Sequence, residues 1–135
     1  MSKESIHWSF WVIGLAGLIW NIMGGINFSM QMNPEMLAEY PADARLLVEG
    51  RPAWATGAFA IAVFGGVFAN LLLLFKRSVS LYVFIAALLG VLVTNIHTLG
   101  VTDSTSILSG SLMSFIVATF FIWYAKNALG KGWIN

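Results

Sequence analysis

Four long apolar stretches, separated by short polar breaks, limit this chain to a membrane fold. The stretches cover residues 8–30, 53–75, 81–101 and roughly 107–125. An α-helix needs about 20 apolar residues to cross the hydrocarbon core of a bilayer, so each stretch is long enough. Only 10% of the residues are charged, against about 25% in an average soluble domain. The sequence therefore predicts an all-α membrane protein, a single domain (1–135) in which four transmembrane helices form an antiparallel bundle.

Basic residues in the connections predict which side of the membrane carries the termini. Only Arg45 and Arg51 fall on the side opposite the termini. Basic residues in short connections are retained in the cytoplasm, so we expect both termini to be cytoplasmic and residues 31–52 to face outward. Five basic residues share the side of the termini: Lys3, Lys76, Arg77, Lys126 and Lys131.

The longest connection, residues 31–52, is predicted to be a helical lid. It contains all three prolines and most of the acidic residues. Asn33 suits the cap of a short helix, and Pro34 suits its first position. The string "ADARLLVE" (42–49) predicts a second short helix. Apolar residues give both segments a face that suits the membrane surface, so we expect them to cover the outer mouth of the bundle.

Small residues recur along one face of every predicted span, as in the double glycine of "LIWNIMGGINF" (18–28). In lipid, such faces let helix backbones approach closely and gain packing contacts. The glycines are therefore predicted to serve helix packing. The strings "LIWNI" (18–22) and "LVTNI" (92–96) match at three positions, a hint of an ancient hairpin duplication.

Polar side chains within the spans form the candidate site. Asn21 and Thr94 each lie thirteen residues into parallel spans, which places both ~20 Å above the inner boundary. His97 lies about one turn higher, and Asn95 falls roughly 160° away from it around the helix. We expect His97 to face inward because it shares the small-residue face with Thr94. The predicted ligand-binding residues are Trp20, Asn21, Asn27, Thr94 and His97.

A structural role for the same side chains remains open. Asn, Thr and His can hydrogen-bond between helices and so stabilise a bundle in lipid. Asn21 suits this role, whereas an ionisable His97 inside a span is equally compatible with function.

Several kinds of chemistry are not expected. No Asp, Glu, Lys or Arg lies within a span, although proton- and ion-driven carriers usually keep such a charge there. Cysteine is absent, and His7 and His97 lie at different predicted depths. We therefore predict no metal site, no cofactor, no catalytic residues and no enzyme activity. A net charge of +1 without a basic run predicts no nucleic-acid partner.

Amide, hydroxyl and indole groups suit a ligand that forms hydrogen bonds without carrying charge. The leading hypothesis is that the protein binds a small neutral, sugar-like solute from the extracytoplasmic side and facilitates its passage. Four helices rarely enclose a pathway, so passage implies a homo-oligomer or a larger membrane complex. The alternatives are an accessory subunit or assembly factor of such a complex, and a quinone- or lipid-binding protein.

Three strings carry a resemblance to a known group: "WNIMGGINF" (20–28), "NPEMLAEYPADARLL" (33–47) and "RPAWATGAFAIAVFGGVFANLLLLFKR" (51–77). In these the chain resembles a group of small, mostly uncharacterised bacterial four-helix membrane proteins, some of them labelled sugar transporters. In outline it is also similar to DoxX-like proteins. The resemblance covers about the first 100 residues. It implies the four-span fold and a multi-pass location in the bacterial inner (plasma) membrane.

Overall fold

The structure is a computed structural model that describes residues 5–135, all of whose regular elements are α-helices. Four helices are long: α1 (Trp8–Gln31), α4 (Ala53–Leu74), α5 (Ser80–Val101) and α6 (Thr105–Gly130). Two short helices, α2 (Pro34–Leu37) and α3 (Ala42–Glu49), lie between α1 and α4. The predicted all-α four-span fold is confirmed. The predicted ends of the four spans agree with the observed helix ends within two residues, except that α6 continues five residues past the predicted end at residue 125. Lys3, used in the topology prediction, lies outside the described residues.

The long helices pack in the order α1, α4, α5, α6, each antiparallel to its neighbour. The closest approach is between α4 and α5. A Cβ atom added to Gly90 would lie 2.6 Å from the carbonyl oxygen of Ala58 and 2.8 Å from the amide nitrogen of Ala62. Small residues therefore do let helix backbones touch here, as predicted. Among the described helices, α1 and α6 make no comparable backbone contact with each other.

The half of the bundle that carries the chain termini, hereafter the terminal half, contains the main hydrophobic core. A left-handed Gly132 (φ 76°) ends α6, and the amide of Trp133 donates to the carbonyl of Ala128 at 2.9 Å. The backbone of Asn135 then pairs with Lys76 and Ser78 in the α4–α5 turn, at 3.0 Å each. The core includes Phe10, Leu73, Phe84, Phe121, Tyr124, Trp133 and Ile134.

Large apolar side chains cover the outside of the bundle. The four long helices each contain a window apolar enough to cross a membrane. In each of these windows most residues are not buried by the rest of the chain, and in the window of α6 only 6% are buried. Exposed residues such as Leu15, Phe68, Leu89 and Ile116 are therefore placed to contact lipid. The chain is an integral, multi-pass membrane protein.

The loop between α1 and α4 has the predicted caps. The side-chain oxygen of Asn33 accepts a hydrogen bond from the amide of Glu35 at 3.0 Å, and Pro34 occupies the first turn of α2. These contacts begin a helix immediately after α1 ends, which turns the chain back over the bundle.

Candidate functional site

A cavity of about 590 Å³ occupies the half of the bundle that carries α2 and α3, hereafter the loop half. Such a volume lies within the range of small-molecule sites, about 300–1,000 Å³. The stacked rings of Phe84 and Phe121, with centroids 5.3 Å apart, form its floor. At the floor the Phe121 ring lies against α1, where it leaves no room for a Cβ on Gly17. Above the floor α1 and α6 both line the cavity, and they make fewer backbone contacts with each other than the other adjacent long helices do, so the boundary between them, hereafter the gap, is the loosest in the bundle.

Most polar residues of the cavity wall lie near the loops, among apolar residues such as Leu47 and Phe59, whereas the wall near the floor is mainly apolar. Because an α-helix rises 1.5 Å per residue, the depth of each wall residue follows from its position in its helix. Asn21 is the exception, a polar residue near the floor. The apolar residues at depth are Ala62, Val63, Phe84, Ala87, Val117, Ala118 and Phe121. The remaining polar residues are Asn27, Gln31, Tyr40, Arg51, Thr94, Asn95, Thr98, Ser111 and Ser114.

The structure brings four of the five predicted site residues together. Trp20, Asn21 and Asn27 line the cavity from α1, and Thr94 lines it from α5. His97 does not line it. Its ring packs edge-on against Trp54 of α4, with centroids 5.7 Å apart.

The prediction that His97 rather than Asn95 faces the cavity is therefore wrong, although Thr94 lines the cavity as predicted. The small-residue face of α5 is divided: Gly90 touches the α4 backbone, whereas Ala87, Thr94 and Thr98 line the cavity. His97 follows Gly90 by seven residues, which places it on the same side of the helix. A stripe of small residues therefore does not by itself separate the surface that packs against α4 from the wall of the cavity. Thr94 borders both surfaces.

One signal in the sequence could have identified Asn95. In the matching strings "LIWNI" and "LVTNI", Asn95 corresponds to Asn21. Both asparagines line the cavity, one from each of two parallel helices. The match therefore indicated the inward-facing polar residue better than the small-residue stripe did.

Four polar side chains of the wall, Asn21, Thr94, Asn95 and Thr98, each donate one hydrogen to a backbone carbonyl. The Asn21 amide nitrogen donates to the Gly17 carbonyl at 3.0 Å, and the Thr94 hydroxyl donates to the Gly90 carbonyl at 2.8 Å. Both bonds stay within one helix, so these two side chains do not form the interhelical bonds that were the structural alternative. Asn95 does, because its amide nitrogen donates to the Ser111 carbonyl of α6 at 3.1 Å.

The predicted lid closes the loop end of the cavity. Ala44, Leu47 and Val48 of α3 form part of the wall. The hydroxyl of Tyr40 donates to the side-chain oxygen of Asn27, which ties the lid to α1. At the other edge, a hydrogen bond from the Ser104 side chain, followed by one from the Ala44 amide, holds the pKa of Asp43 below its ordinary value. The lid thus contacts both α1 and the α5–α6 loop.

Arg51 is a wall residue that the sequence reasoning did not select. It precedes α4 by two residues, and its half-buried side chain reaches back to the cavity. Its Nε donates to the Thr56 hydroxyl at 3.2 Å and its Nη2 to the Gln31 side-chain oxygen at 2.9 Å. The guanidinium also lies over the Phe59 ring, 5.0 Å from the centroid. Burial lowers the pKa of Arg51, although a guanidinium remains charged in proteins.

Comparison with models of known families, with curated proteins and with solved structures finds no significant match to this chain. The fold and the cavity therefore assign the chain to a structural class: it is a multi-pass membrane protein with four long helices and a cavity in one half of the bundle.

Proposed function

We propose that this protein binds a small amphiphilic molecule within the bundle and that it acts by binding rather than by catalysis. The observation that carries the proposal is the uneven distribution of polar side chains, most of which lie in the upper part of the cavity above a mainly apolar lower part. A ligand with a hydrogen-bonding head and an apolar body matches both parts. This choice corresponds to the quinone- or lipid-binding alternative drawn from the sequence.

A sugar-like solute fits the cavity less well. A polyhydroxylated molecule loses hydrogen bonds to water on all sides and needs replacements on all sides. Near the floor the wall consists mainly of alanine, valine and phenylalanine side chains, and the one exception, Asn21, already donates to Gly17. Binding a sugar there would leave hydroxyl groups without partners.

The filled terminal half favours binding over passage through a single chain. Below the floor, Leu73 and Ile134 are fully buried, and Phe10 packs against Tyr124 and Trp133. A solute that crossed the membrane inside one chain would have to displace this core. Entry from the bilayer through the gap between α1 and α6 requires no such rearrangement.

Gly110 provides the test, because a side chain there would occupy the cavity without a clash. Gly110 lies in the wall, and a Cβ added to it meets no atom within 4 Å. We expect Gly110→Leu to fold normally and to lose most of the bound lipid-like molecules that native mass spectrometry detects after extraction in a mild detergent.

Gly100→Leu is the matched control. Gly100 also has open space around an added Cβ, but it does not line the cavity. Its ligand content should equal that of the wild type. Equal ligand content in all three proteins, or no ligand in any of them when single-chain amphiphiles are added, would contradict the proposed function.

A further inference from the structure

Arg51 is the only charged side chain in the described wall of the cavity, and neither Asp nor Glu lines it. The two hydrogen bonds of its guanidinium go to the neutral oxygens of Thr56 and Gln31. A partly buried positive charge without a carboxylate neighbour is costly, and an anion placed beside it would be stabilised.

The guanidinium is also the group with the most hydrogens left to donate. An arginine side chain has five N–H groups, and the two protein bonds leave the Nη1 group and one Nη2 hydrogen free. In contrast, the hydroxyls of Thr94 and Thr98 both donate to backbone carbonyls of α5, at 2.8 and 2.9 Å. At the top of the cavity the amides of Asn27 and Gln31 also have hydrogens to donate, but Arg51 has the most free hydrogens of any one residue there and is the only charged donor.

We propose that the ligand is a single-chain amphiphile with an acidic head, a carboxylate or a phosphate, which binds Arg51. This inference rests on the proposed function and names its ligand class. The head pairs with the guanidinium beneath the lid, and the chain extends toward Phe84 and Phe121. A planar guanidinium forms two parallel hydrogen bonds with either head group.

The position of the gap suits an amphiphile that arrives from the bilayer. Gln31 at the end of α1 and Ile107 near the start of α6 lie at the level of Arg51, and both line the cavity. A lipid-embedded acid holds its head at the membrane surface and its chain in the hydrocarbon. Lateral entry between α1 and α6 would therefore bring the head to Arg51 and the chain to the apolar wall without inverting the molecule.

The first experiment uses the wild-type protein in nanodiscs of zwitterionic lipid and needs no variant. Palmitic acid, hexadecyl phosphate and hexadecanol have the same chain and differ in the head. We expect the better of the two acids to bind at least about tenfold more tightly than the alcohol, because a charge-assisted hydrogen bond is roughly twice as strong as a neutral one. The relative affinities of palmitic acid and hexadecyl phosphate show whether the site prefers a carboxylate or a phosphate head. Equal binding of acids and alcohol would overturn the inference and leave the proposed function intact.

The second experiment removes the charge. Arg51→Gln should lower acid binding about tenfold or more and leave hexadecanol binding nearly unchanged, whereas Arg51→Lys should retain part of the preference for acids. Arg45→Gln is the control, because Arg45 belongs to the same loop but does not line the cavity. If Arg51→Gln does not fold, Arg51→Lys is used in its place. A folded Arg51 variant that binds the acids as tightly as the wild type would contradict the inference.

Discussion

Asn21 shows how an amide side chain is held inside a membrane span. Its nitrogen donates to the Gly17 carbonyl, and its oxygen lies against Gly66 of α4. An amide without hydrogen bonds in hydrocarbon costs several kcal/mol, so the bond within α1 matters for insertion. The absence of a side chain at position 66 then gives the amide room between the helices. Asn21 and Gly66 therefore act as a packing pair in the cavity wall.

Two adjacent glycines of α4 test this pairing. A Cβ on Gly66 would overlap the Asn21 amide, whereas a Cβ on Gly65 would lie 3.6 Å from the Cβ of Ala87, an ordinary contact. We expect Gly66→Ala to lower the free energy of unfolding by about 1–3 kcal/mol, the usual effect of overpacking. Gly65→Ala should be nearly neutral. Thermal unfolding in a mild detergent measures both.

A double variant identifies the cause. If the clash with the amide is responsible, Asn21→Ala combined with Gly66→Ala should be less destabilising than the sum of the two single changes. Additive losses, or equal losses at positions 65 and 66, would mean that the amide does not contact Gly66 closely.

At the scale of elements, α5 separates two surfaces that a stripe of small residues does not distinguish. Gly90 and His97 lie toward α4, whereas Val91 and Asn95 line the cavity. Helical periodicity indicates which residues share a face, but the neighbour of that face depends on the packing of the whole bundle. Helical periodicity could therefore predict that Thr94 belongs to the site, but periodicity alone could not choose between Asn95 and His97.

The end of α6 is predicted to be held by the residues that follow it. Ile134 is 1% exposed in the core of the terminal half, and Asn135 pairs with the α4–α5 turn. We expect Ile134→Ala to lower the free energy of unfolding by about 2–5 kcal/mol, the cost of truncating a buried isoleucine. Ile116→Ala, at a 50% exposed position on the outside of α6, should cost far less. Similar melting temperatures for the two variants would show that the tail does not stabilise the bundle.

At the scale of the whole molecule, apolar length predicts the four-span fold because the bilayer imposes the same requirement on every span. Local capping rules likewise predicted the helix that begins at Asn33 and Pro34. The cavity could not be predicted in this way, because it depends on how loosely α1 and α6 pack against each other. Arg51 was missed for a related reason: it lies outside any span, and only the fold brings its side chain back into the wall.

The distribution of charge over the bundle predicts its orientation in the membrane. Among the described residues, Lys76, Arg77, Lys126 and Lys131 all lie at the terminal end of the helices, whereas Arg45 and Arg51 lie at the loop end. Retention of basic segments in the cytoplasm then places the terminal end inside the cell. The chain contains no cysteine, so single cysteines can report the orientation. We expect Ala42→Cys to react with an impermeant maleimide in intact cells and Gly130→Cys to react only after permeabilisation. The reverse pattern would place the lid in the cytoplasm.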